Sequence, residues 1–232
     1  MGGGGHGEQL LRAGSKVIGL DQDPAALSFA RARLSDYEEN FGAIQGNFRD
    51  FGEILDTIGI KGVDGIILDL GVSSRQLDDP ERGFSFAKDG PLDMRMNPST
   101  ERNAADLINT EAEEELARIF YQYGEERASR KVARAVVAAR EKEKIETTLQ
   151  LANIVSKVIP KRSRLHPATR VFQGLRIAVN DELRSIESAL NEVSRWLRPG
   201  GRLVVISFHS LEDRIVKTFL KRSSREFIDR PE

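Results

Sequence analysis

The stretch KVIGLDQDP, residues 16–24, sets the terms of the fold. Its apolar part, 16–20, is bounded by turn residues, the pattern of a buried strand. Asp23 and Pro24 then supply a capping carboxylate and a proline at the first helical position, opening a helix to about Leu34 with Leu27, Ala30 and Leu34 on one side. On either side of this βα unit, 8–13 reads as a short helix, 43–45 as a weak strand, 51–58 as a helix and 63–69 as a strong strand. Such alternation predicts an open α/β sheet with parallel strands.

The rhythm breaks at Gly71, and no strong strand signal returns until RLVVIS at 202–207. Apolar residues at helical spacing fill 111–123, 125–142 and 147–159. A crossover of about 130 residues far exceeds a normal βα connection, so an all-helical domain inserted between two strands of one sheet is expected. The predicted boundaries are 1–76 with 179–232 for the α/β domain and 77–178 for the insertion. Val171, Leu175, Val179, Leu183, Ile186, Leu190, Val193 and Leu197 trace one face of a single long helix, which Pro199-Gly200-Gly201 ends; a last helix spans about 211–221.

Composition narrows the function classes. The chain has 232 residues, with 35 Lys and Arg against 36 Asp and Glu, a formal charge of −1 that excludes a globally basic nucleic-acid coat. The absence of cysteine excludes disulfide scaffolds, thiolate zinc sites and cysteine nucleophiles. His6, His166 and His209 lie far apart in sequence, and no metal is expected. No stretch approaches the roughly 18 apolar residues of a membrane span. Glycine-rich loops normally connect two elements, so a first strand is expected to precede Gly2, and the polar 226–232 leaves further C-terminal strands or a tail expected beyond it.

Gly2 to Gly5, a helix, a strand and then Asp21 have the layout of a nucleotide-type cofactor site. Glycines admit a ligand close to the backbone, and a carboxylate at the next strand end can accept two hydrogen bonds from ribose hydroxyls. Contiguous glycines followed by His6 and Glu8 suit a zwitterionic group better than a pyrophosphate, which favours S-adenosylmethionine over NAD; a flexible linker ahead of an ordinary turn is the other reading. Asp69 closes the apolar run 66–68, where an open α/β sheet places its ligand crevice, although a lone strand-end aspartate also serves as an Asx-turn or N-cap. Phe48 suits the core or a stack on a flat base. From 157 to 180 the chain carries Lys157, Lys161, Arg162, Arg164, Arg170 and Arg176 and no acidic residue until Asp181, a segment able to pair with phosphates or to form a solvated face.

Several longer strings then carry a resemblance: GGGGH at 2–6, LDQDP at 20–24, DLGVSSRQLDDPERGFSFAKDGPLDMRM at 69–96, YGEER at 123–127, HPATRVFQGLRIAVNDEL at 166–183 and RPGGRLVVISFHSLEDRIVK at 198–217. Together they resemble the MraW/RsmH-type ribosomal RNA small-subunit methyltransferases over essentially the whole chain. The resemblance implies a Rossmann-like S-adenosylmethionine-dependent methyltransferase sheet with an inserted helical substrate-recognition domain. It implies methylation of the exocyclic N4 of a cytidine in the decoding region of small-subunit (16S-type) ribosomal RNA, in the bacterial cytoplasm. It also implies cofactor contacts at Gly4, Gly5, His6, Asp21, Phe48, Asp69 and Gln76, with Asp69 the candidate catalytic residue; Lys161, Arg162, Arg164 and Arg170 are the expected RNA contacts. A non-catalytic RNA-binding or ribosome-assembly protein retaining the fold is the alternative, and a nucleotide-dependent oxidoreductase is disfavoured by the glycine spacing.

Overall fold

The computed structural model describes residues 1–160 and 165–228, with side chains to 224. Along the chain run α1 (Gly5–Arg12), β1 (Val17–Asp21), α2 (Pro24–Arg33), β2 (Phe41–Gln45), α3 (Phe51–Thr57) and β3 (Val63–Asp69). A helical stretch follows: α4 (Ser74–Asp78), α5 (Ala104–Thr110), α6 (Glu113–Gln122), α7 (Ser129–Arg140), α8 (Thr148–Val158) and α9 (Thr169–Asn180). The chain then forms α10 (Glu182–Trp196), β4 (Leu197–Ile206) and α11 (Ser210–Ile228). It divides into two compact units, Met1–Gly71 with Glu182–Glu232, and Val72–Asp181. Among the described residues no helix is long and apolar enough to cross a membrane.

The first unit is mixed α/β. Asp23 caps α2 as its position demands, its carboxylate accepting from the Ala25 N–H at 3.0 Å ahead of Pro24 in the first turn. β1 pairs in parallel with β2, from Val17 opposite Phe41 to Asp21 opposite Gln45. β3 pairs in parallel with β4, ending with Asp69 opposite Ile206. One open sheet was expected; among the described residues there are instead two two-stranded sheets, because no ladder joins β1 to β3. The Pro199-Gly200-Gly201 turn also lies inside β4, where the register shifts opposite Val63 and Gly65.

The core of this unit is built on one face of α10, where Ile186, Ala189, Leu190, Val193 and Trp196 recur at helical spacing and pack with Phe51 and Leu68. Each of the isoleucine, leucine, valine and phenylalanine side chains contributes about 1.5–3 kcal/mol on burial. β3 and β4 pack against this core on one face, where Ile66, Leu203 and Val205 are partly buried, while Ile67 and Val204, paired across the ladder, are 38% and 46% exposed.

The second unit is helical around its own core, which includes Leu92, Met94, Leu116, Phe120, Val136 and Leu175. The single long helix expected over 171–197 is two helices. Asp181 adopts left-handed backbone angles, φ 48° and ψ 42°, which break it at the junction of the two units.

Candidate functional site

In an open α/β fold the ligand side is the rim formed by the carboxyl ends of the parallel strands. The first unit brings Asp21 at the end of β1, the turn after β2, and Asp69 at the end of β3 to such positions. The glycine run meets Asp21, and His6, which follows it, meets Asp69. The Gly2 N–H donates to Asp21 Oδ2 at 3.0 Å, and the Asp23 N–H donates to Oδ1 at 2.9 Å. The amino group of Met1 lies 3.3 Å from the same Oδ2. At the other carboxylate, His6 Nε2 stands 3.5 Å from Asp69 Oδ2, with both side chains partly open to solvent.

Gly4 is the N-cap of α1 at φ 76°, a conformation that favours glycine, and a Cβ there would also stand 3.3 Å from Leu34 Cδ1. No side chain caps α1. A Cβ at Gly5 would meet nothing within 4 Å. Bare backbone in front of an uncapped first turn suits a ligand carboxylate. Arg33 holds this turn, donating from Nη1 to the Gly3 carbonyl at 3.2 Å and from Nη2 to Glu8 Oε2 at 2.7 Å. The hydrogen bond from Arg33 is the largest influence on Glu8 and holds its carboxyl below the usual range. Asp21 accepts one backbone N–H on each oxygen, and the Met1 amino group also lies beside Oδ2, so the second lone pair of Oδ1 is the one left for a hydroxyl donor. The residues present therefore fit a ligand that pairs an amino-acid carboxylate with a ribose.

Phe48 sits in the 3₁₀ turn after β2, partly buried against the core beneath α10. Its neighbour Asn47 reaches across the rim, with Nδ2 3.4 Å from Ser185 Oγ and 3.5 Å from Gln22 Oε1. Gln76 belongs to the second unit, where its Oε1 accepts the Ser73 N–H at 3.0 Å while its own N–H donates to Ser73 Oγ at 3.3 Å. It thus completes the capping box of α4. Of the expected RNA contacts, Lys161, Arg162 and Arg164 lie outside the described residues, and Arg170 is exposed with Nη1 donating to the Glu125 carbonyl at 3.2 Å.

Sequence reasoning missed the group at the start of α11. Glu182, His209 and Glu212 each bring a donor atom within 4.8 Å of the others, although the sequence suggested no metal-type cluster. Glu212 is fully buried and accepts the N–H groups of Phe208 at 2.8 Å and His209 at 3.3 Å on Oε2, while Oε1 lies 3.2 Å from His209 Nε2. Much of its bonding capacity is thus spent on holding the loop that follows β4. The available signal was the acidic residue at the third helical position of S-L-E, half of a capping box.

The family model of the MraW methylases matches residues 1–231. The chain belongs to the MraW methylase family. It is 51% identical over 231 residues to the ribosomal RNA small subunit methyltransferase H of Carboxydothermus hydrogenoformans, covering 98% of this chain and 74% of that protein. The proteins of the same name from Geobacter sulfurreducens and Deinococcus deserti are 55% and 56% identical over 228 and 221 residues; the matches cover 96% and 95% of this chain and 73% and 72% of those relatives.

Proposed function

We propose that this protein methylates the exocyclic N4 of a cytidine in the decoding region of small-subunit ribosomal RNA, using S-adenosylmethionine, in the bacterial cytoplasm. The observation that carries this reading is the convergence of the glycine run and the following His6 on the two strand-end carboxylates, with Gly2 on Asp21 at 3.0 Å and His6 on Asp69 at 3.5 Å. The names of the relatives support the substrate. When bound, S-adenosylmethionine supplies a methyl group made electrophilic by the sulfonium that carries it.

In this assignment the cofactor residues are Gly4, Gly5, His6, Asp21, Phe48 and Asp69, with Gln76 the seventh on the strength of the sequence resemblance. Gly4 and Gly5 leave room for the amino-acid end and Asp21 holds the ribose hydroxyls. The cytosine amino nitrogen is a poor nucleophile because its lone pair is delocalised into the ring, so the chain's main contribution is alignment. Asp69 accepts a hydrogen bond from the amino group and stabilises the positive charge that develops as the N–C bond forms and the C–S bond breaks. His6 Nε2 beside Asp69 Oδ2 restrains the carboxylate. The helical unit, through Arg170 and the sequence segment 161–164, is assigned to holding the RNA phosphates.

The test is single-turnover transfer of labelled methyl to unmethylated small ribosomal subunits. Asp69→Asn is expected to leave the melting temperature unchanged and to slow transfer by about 10²-fold. A variant as fast as the wild type would remove Asp69 from the mechanism, and a wild-type chain that labels no RNA would remove the activity.

A further inference from the structure

Phe208 is the most exposed of the large apolar side chains among the described residues, at 68%. Single apolar residues on a surface are ordinary, so exposure alone assigns nothing. Its setting is unusual in two respects. First, the loop that carries it is anchored: buried Glu212, at the third position of α11, reaches back to the backbone N–H groups of both Phe208 and His209, and His209 Nε2 closes on the other carboxylate oxygen at 3.2 Å. The ring is therefore displayed on backbone tied to a helix end. Second, it stands at the reaction rim. Asp69 is registered opposite Ile206, and two residues beyond each the chains still touch, since a Cβ at Gly71 would lie 3.4 Å from Phe208 Cδ2. Gly71, at φ 81°, lets the backbone pass beneath the ring edge.

An apolar ring held in water at a strand end, two residues beyond the carboxylate assigned to the amino group, has the chemistry of a base-stacking platform. We propose that Phe208 stacks on the target pyrimidine, forming a site for an unpaired, unstacked nucleobase whose amino edge is turned to Asp69. The proposal rests on the reading of the chain as an RNA methyltransferase. Stacking supplies affinity for any base, and the hydrogen bonds at the amino group then discriminate among them.

The experiment measures steady-state methyl transfer to unmethylated small ribosomal subunits by the wild type and by Phe208→Ala, Phe208→Leu and Phe208→Tyr, with S-adenosylmethionine affinity of each measured by calorimetry. Loss of a stacked base is expected to raise KM for the subunits about 5- to 150-fold in Phe208→Ala. Phe208→Leu, which keeps apolar bulk without a π face and serves should the alanine variant fold poorly, is expected to share most of that loss. Phe208→Tyr is expected to restore near wild-type KM, and cofactor affinity to stay the same throughout. If the wild type labels RNA and either the alanine or the leucine variant keeps its KM, or if cofactor affinity falls in step with KM, the platform is refuted while the activity stands. If the wild type labels no RNA, the activity itself is refuted and the platform goes with it.

Discussion

Asp93 sits in the long connection between α4 and α5 and is clamped by Arg95, whose Nη2 donates to Oδ2 at 2.7 Å and whose Nε and backbone N–H both donate to Oδ1 at 2.9 Å. Burial alone would raise its pKa; the hydrogen bonds and charge of Arg95 outweigh it and hold the carboxyl below its ordinary value. A folded-state pKa below the unfolded one contributes stability that is fully present above the unfolded value, about 3.9, and is lost as the pH falls through the folded value. Acid unfolding followed by circular dichroism should therefore show wild-type stability falling more steeply below about pH 4 than that of Asp93→Asn. At pH 7 the variant should be less stable by about 1.5–3 kcal/mol, the range for a hydrogen bond to a charged partner. Superimposed acid limbs would contradict the linkage. At this scale Asp21 and Asp69 were legible in the sequence because strand ends are marked by the apolar runs they close. Gln76 carries a second legible signal: S-x-x-Q is a capping-box signature, and the structure uses it as one.

Among elements, those defined by their own local pattern were readable and those defined by distant partners were not. The strand at 63–69 was read to the residue, since its apolar run and flanking turns are local. The break between α9 and α10 was hidden because apolar spacing runs unbroken across Asp181, with Val171 and Leu175 buried in the second unit's core and Ile186, Leu190 and Val193 in the first unit's. Periodicity records that a residue is buried, not in which core. Pairing within the sheet was equally invisible, because ladders join residues far apart in sequence. The helix α5 escaped notice at seven residues, too short for periodicity, and its start rests on a reciprocal cap. Asn103 Oδ1 accepts the Asp106 N–H at 2.8 Å, and Asp106 Oδ2 accepts the Asn103 N–H at 3.0 Å. Asn103→Ala should cost about 1 kcal/mol, read as a lower urea midpoint at unchanged m-value; an unaltered midpoint would mean that packing of Leu107 and Ile108 alone fixes this helix.

At the scale of the molecule the two units differ in how the chain builds them. The first is assembled from two separated segments, so β3 finds β4 only after the intervening residues have been made. The second is one continuous run, Val72–Asp181, whose largest buried side chains, among them Phe120, Ile108, Leu116 and Leu151, pack with one another. Its irregular 79–103 connection is tied into the same unit: the Leu92 N–H donates to the Glu146 carbonyl at 2.8 Å, and the Asn180 side chain accepts the Met96 N–H at 2.7 Å while donating to the Met94 carbonyl at 2.8 Å. A continuous segment with its own core and internally satisfied loop polar groups meets the requirements of an autonomous domain. Residues 72–181 expressed alone should therefore give a helical circular dichroism spectrum and a single sigmoidal urea transition with an m-value of at least about 1 kcal/mol/M. The slope is the decisive quantity, because it scales with the apolar surface released on unfolding. A fragment that is helical but unfolds gradually, and binds a hydrophobic dye before doing so, would show that packing of this core depends on the α/β unit.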